Sequence, residues 1–211
     1  MIKGLSILGF QDNDIGTSDS SIDRWVDDVR QEMQTSTDVQ SRTVGKFTVS
    51  SAELNGFHAS YLNGSQAYLI YQNVKPIGVL VLQRNEDRVW VTDTIGVLPE
   101  YQGQSLGTLL YETALSDLGK IGSSTSLSGG SSKIWKALCL KHKGTLCIPA
   151  EYSGTGKPVE IQIKGWSLEG GITYPVLSLS NGTLLSLRTL NTRSSLIGKK
   201  AASESYYLIK A

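Results

Sequence analysis

The chain has 211 residues, of which 39% are hydrophobic and 18% charged, and its formal net charge is +1. That length supports one good core and leaves room for a second small lobe, while the near-neutral balance demands no nucleic-acid, membrane or acidic partner and leaves a local basic patch open. Two cysteines, Cys139 and Cys147, and two histidines, His58 and His142, make neither a disulfide framework nor a zinc motif, so no metal is expected.

Ile2–Phe10 reads as a first strand. The opening MIKGLSILGFQDND is a poor secretory signal, because glycine and serine interrupt its apolar run. No segment approaches 18 consecutive apolar residues, so a membrane span is not expected and a reducing cytoplasm is the simplest compartment. Ile22, Trp25, Val26, Val29 and Met33 then recur at helical spacing. They predict an amphipathic helix over about 21–34, with Ser20 or Ser21 as N-cap and a stripe that packs.

From 46 the period changes to two. Lys46–Ser51, Gln66–Gln72, Ile77–Gln83 and Arg88–Leu98 read as strands, with turns at 73–76 and 84–87, which together predict an antiparallel meander. The stretch Val97–Gly107, VLPEYQGQSLG, leaves the last strand and opens a helix marked by Leu106, Leu109, Leu110, Ala114 and Leu118. That helix ends at Gly119 or Gly122. Ser123–Leu127 reads as a strand parallel to 88–98, since a helix of this length is the usual crossover. A second helix over about 131–143, capped by Ser131 or Ser132, stops at Gly144. Thr145–Glu151 and Val159–Ile163 read as a hairpin, and SESYYLIK near the end as a last strand. The fold class is thus α/β, with an α+β mixed sheet. The division is a main domain over 1–164 and a β-rich extension over 165–211.

The glycines at 103 and 107 have a physical use. N–H groups in the first turn of a helix lack intrahelical partners, and the aligned peptides place partial positive charge there. A diphosphate can be held by such a turn without a basic side chain. The spacing is not a dinucleotide fingerprint, because GxGxxG is absent and a meander precedes it.

On this loop and the elements around it, residues 66–145 resemble the GCN5-related N-acetyltransferase (GNAT) family. The family's acyl-CoA motif, Arg/Gln-x-x-Gly-x-Gly/Ala, is met at Gln102 and Gly107, with Ser105 in place of its first glycine. The resemblance implies an acyltransferase that moves an acetyl group from acetyl-CoA to an amine by direct attack in a ternary complex. Val97, Leu98, Gln102, Gly103, Gln104, Ser105, Leu106, Gly107 and Thr108 would then hold the cofactor, its pantetheine arm pairing with the strand that ends at Leu98. The thioester would enter between that strand and 123–127. The family's frequent tyrosine four residues before the helix-ending glycine is replaced by Leu140, so no general acid carries over.

Asp93 is the one acid within Val89–Leu98 and is the candidate base; simple alternation gives it the face of Val89, Val91, Ile95 and Val97. The resemblance implies an acceptor amine on a small molecule or a protein. Two alternatives stand beside the transferase: a non-catalytic CoA-binding or interaction module, and an enzyme acylating a nucleic-acid base, which would need a coherent basic surface. The Tyr- and Ser-rich termini leave a homodimer interface or a lid open.

Overall fold

The computed structural model describes residues 19–54, 64–125, 127–169, 171–187 and 204–211. The strand expected at 2–10 lies outside them. The fold is mixed α/β, as the sequence implied, and its described residues form two compact units that part after Ile121.

In the first unit, helix α1 (Asp19–Thr35) precedes strands β1 (Gln40–Val44), β2 (Phe47–Leu54), β3 (Ser65–Gln72), β4 (Lys75–Arg84) and β5 (Trp90–Val97). Successive strands pair antiparallel from β1 to β5. Ser20 and Ser21 lie within α1 rather than before it. The polar, exposed β1 has no hydrophobic pattern to announce it; it forms because β2 presents an edge and Gly45, at φ +60°, makes the tight return. The next hairpin turns at Asn73, whose φ of +56° suits asparagine better than most side chains.

The stripe read from the sequence is a packing stripe. Ile22, Val26, Val29 and Met33 bury against Ala52, Leu54, Ala67, Leu69, Val79, Val81 and Leu98, with Trp25 partly covered beside them. Each such side chain taken fully from water contributes roughly 1.5–3 kcal/mol before conformational entropy is charged against it. Residues of alternate parity, among them Tyr68, Leu80 and Leu82, are equally buried, and helix α2 (Leu106–Leu118) packs against β3, β4 and β5. The meander is therefore covered on one face by α1 and on the other by α2. Arg42 of β1 ties to α2 through an ion pair with Asp117 and a 3.2 Å hydrogen bond to the Thr113 carbonyl.

α2 ends at Gly119, in the left-handed region at φ +70°. Strand β6 follows at once as Lys120–Gly122 and stands next to β5. The strand expected at 123–127 is thus displaced toward the N-terminus. Gly119 reverses the chain without a linker, and the apolar residue that enters the sheet is Ile121 rather than Leu127.

The second unit holds helix α3 (Gly129–Lys141) and strands β7 (Thr145–Ile148), β8 (Val159–Glu169), β9 (Ile172–Ser178), β10 (Leu184–Ser186) and β11 (Tyr206–Lys210) in the order β11-β7-β8-β9-β10. The cap of α3 is Ser128, whose hydroxyl accepts from the Ser131 N–H at 3.3 Å; the expected caps, Ser131 and Ser132, lie inside the helix. Trp135, Leu138 and Cys139 are buried, as are Leu146 and Cys147 of β7 and Tyr207, Leu208 and Ile209 of β11. Gly144 must be glycine, since a Cβ there would sit 2.8 Å from the Cys139 sulfur and 2.9 Å from its Cα. The 145–163 hairpin and the final strand are as expected. β8 runs on without a break through 164 to Glu169 and takes β9 as a second partner.

Candidate active site

β5 departs from simple alternation. Thr94 stands opposite Val81 and Thr92 opposite Leu82, so the strand carries one extra residue at Asp93. Such a bulge inverts the parity of everything beyond it. Thr92 lies on the α2 side, where its hydroxyl donates to the phenol oxygen of Tyr111 at 3.2 Å. Gly96 lies on the α1 side, where a Cβ would come within 2.9 Å of Ile22 Cγ2. The face assigned to Asp93 from the sequence is therefore corrected: Val91 is on the α1 side with Gly96, whereas Ile95 and Val97 are on the α2 side. Half-buried Asp93 accepts from the Thr94 hydroxyl at 3.1 Å and from Gln83 Nε2 at a long 3.4 Å.

After β5 the chain makes one 3-10 turn, Pro99–Tyr101, with the Tyr101 N–H bonded to the Leu98 carbonyl at 2.9 Å. Leu98 itself is buried in the α1 core, and its N–H donates to the Ile77 carbonyl at 2.9 Å. Gln102 points its amide back along the strand and donates to the Val97 carbonyl at 3.0 Å. It anchors the loop to the strand, so the loop presents backbone rather than this side chain. Gly103, Gln104 and Ser105 are exposed, with φ of +77° at Gly103 and +60° at Ser105.

Ser105 is the N-cap of α2, yet it is left-handed and its side chain makes no cap bond; the first turn, Leu106, Gly107 and Thr108, holds no acid. The positive end of α2 thus has an exposed cap residue and no anionic group in its first turn. Leu106 is buried and pins the helix start. The family motif's glycine at position 105 now has a reason: this residue must take positive φ, which costs a serine roughly 1 kcal/mol.

Sequence reading did not anticipate Lys75 as a neighbour of the loop, because 25 residues separate it from Glu100 and no local pattern links them. Its ammonium donates to Glu100 Oε1 at 2.9 Å and lies 5.3 Å from the Tyr101 ring centre. The hydrogen bond to Glu100 raises the Lys75 pKa and, reciprocally, lowers that of Glu100. Both side chains are exposed, so the pair orders the turn more than it stabilises the protein. Leu140 is exposed on α3, consistent with a helix position that supplies no proton donor. Among the described residues no cluster of His, Cys, Asp or Glu is placed to hold a metal ion, and no helix is long and apolar enough to cross a membrane.

A meander strand with a bulge, a glycine loop and a helix whose first turn is bare of acids form one continuous strand–loop–helix segment. Residues 30–128 match the family model described as the Acetyltransferase (GNAT) family. The match takes in only the end of α1, from Arg30 on, with all of the meander, the loop and α2, and it ends before α3, so Leu140 and Gly144 lie beyond it. It supports acetyltransferase-type activity. No curated protein and no solved structure matches the chain.

Proposed function

We propose that the protein transfers an acetyl group from acetyl-CoA to an amine, on a small molecule or a protein, by direct attack in a ternary complex. The observation that carries this reading is the uncapped, acid-free first turn of α2, set within the residues that match the GNAT family. The N–H groups from Gln104 to Thr108 would hold the diphosphate of acetyl-CoA, with Gly103 and Gly107 admitting it closely. The amine must be neutral to attack. Asp93 takes its proton, the N–C bond forms at the thioester carbonyl, and the C–S bond breaks as the tetrahedral intermediate collapses; the thiolate then takes up a proton from solvent. Both cysteines are buried free thiols, and we assign the protein to the reducing cytoplasm.

Calorimetric titration with acetyl-CoA tests the reading, using the parent, Gly107→Trp and Thr108→Glu. Saturable binding is expected for the parent and severe loss for Gly107→Trp. Gly107 is buried, so that variant alone cannot separate a blocked site from a disrupted fold. Thr108→Glu separates them. A carboxylate in the first turn favours the helix, so the melting temperature should hold or rise while affinity for acetyl-CoA falls about tenfold or more. Absence of binding to the parent overturns the proposal. Binding without turnover on any amine would leave a CoA-binding module on the same fold.

A further inference from the structure

We propose that the exposed face of α3 is a docking surface for an acidic protein segment bearing an apolar side chain. The net charge of +1 conceals a strong segregation along the chain. Residues 122–211 carry eleven Lys and Arg against four Glu and no Asp, while residues 17–121 carry eight Lys and Arg against thirteen acids. No acid at all occurs from 118 to 150, which spans α3 and β7.

On α3 the buried side is Trp135, Leu138 and Cys139. The outward side collects Lys133, Ala137, Leu140 and Lys141, all exposed, with half-buried Lys136 alongside; these positions fall at helical spacing on one face. Lys143 follows at the helix end, tied into β8 where Gln162 Nε2 donates to its carbonyl at 2.8 Å, and Lys164 is two residues further along that strand. The two acids of β8 have partners of their own. Glu160 is held by Lys210 at 2.8 Å, and Glu169 accepts from the Ser167 hydroxyl at 3.0 Å.

The occupant follows from what sits in the middle of the lysines. Leu140 is 54% exposed, the one large hydrophobic on α3 that faces solvent. A phosphodiester backbone would satisfy lysines but would leave that leucine uncovered, and no arginine on α3 offers a fork for phosphate or base edges. Carboxylates flanking an apolar side chain complement both features, with the leucine covered at the centre and the charges at a wetter rim.

Fluorescence anisotropy on the full chain tests this with three labelled probes: an acidic peptide with leucine between glutamates, the same peptide with serine for leucine, and a uridine oligonucleotide. The leucine peptide is expected to bind tightest. Its affinity should fall about tenfold in Lys133→Glu/Lys141→Glu and several-fold in Leu140→Ser. Lys133→Gln/Lys141→Gln serves if the charge reversals disturb α3. Acetyl-CoA titration of the same variants should match the parent, so failure of the docking surface and failure of the acetyl-transfer reading are separate results. Equal binding of the two peptides, tighter binding of the oligonucleotide, self-association of the chain lost in the lysine variants, or no binding of any probe would each overturn the proposal.

Discussion

The hydroxyl of Thr92 donates to the phenol oxygen of Tyr111 across 3.2 Å of buried space, fastening β5 to α2 one residue before the bulge at Asp93. Removing either partner loses this bond, and a double-mutant cycle isolates the coupling between the two side chains. Tyr111→Phe and Thr92→Val should each cost about 1–3 kcal/mol in urea unfolding. The double variant should cost clearly less than the two together. Additive costs would show that the bond contributes nothing beyond packing.

Gly96 and Ile22 mark where α1 presses on the sheet. Gly96→Ala places a methyl 2.9 Å from Ile22 Cγ2, and we expect a loss of about 1–3 kcal/mol. Combination with Ile22→Ala should recover part of that loss, because one substitution vacates the volume the other fills. Comparison of the four denaturation midpoints measures the coupling.

Asp93 is assigned the proton acceptor's role, so Asp93→Asn should lower kcat by about 10²–10⁴-fold while leaving acetyl-CoA affinity within twofold. Steady-state kinetics with calorimetry on one preparation decides it. Loss of cofactor affinity in step with kcat would make Asp93 a structural residue of the bulge.

Burial pushes the Cys139 thiol from its ordinary 9.0 up to about 12. The folded value lies above the unfolded one, so stabilisation by the neutral thiol is whole below pH 9 and is lost progressively as pH rises toward 12. Tyr207, raised chiefly by burial and then by Cys139, and Tyr68, raised chiefly by burial and then by Asp117, add losses of the same sign above pH 10. Unfolding free energy measured from pH 8 to 11 should fall earlier for the parent than for Cys139→Ala. The difference in slope is at most about 1.4 kcal/mol per pH unit. Coincident curves would mean that the thiol is open to solvent.

The meander, α1, α2 and the loop were legible because their signals are local: period two between turn residues, period 3.6 on one helix face, and glycines at a helix start. What escaped had no local signal. β1 is almost entirely polar and is recruited by the edge of β2. The bulge at Asp93 depends on how β5 registers against β4, which no residue in TDT announces. β6 begins at Lys120 because Gly119 turns the chain at once, a matter of one backbone angle. Around the loop, Gln102's hold on the Val97 carbonyl and the Lys75–Glu100 pair come only from the fold.

The placement of β11 sets the tempo at which the two units are completed. The meander of the first unit needs only neighbours in sequence, and hairpins of that kind close in microseconds. In the second unit, Tyr206–Leu208 pair with Thr145–Cys147 about sixty positions upstream, and Ser123 and Tyr207 exchange bonds of 2.8 and 2.9 Å across 84 residues. Such distant closures are slow. On a ribosome the first unit can therefore mature early, while β7 waits with one edge unsatisfied until residue 210 has emerged. Over that interval the nascent second unit is the part of the chain that a chaperone has reason to hold.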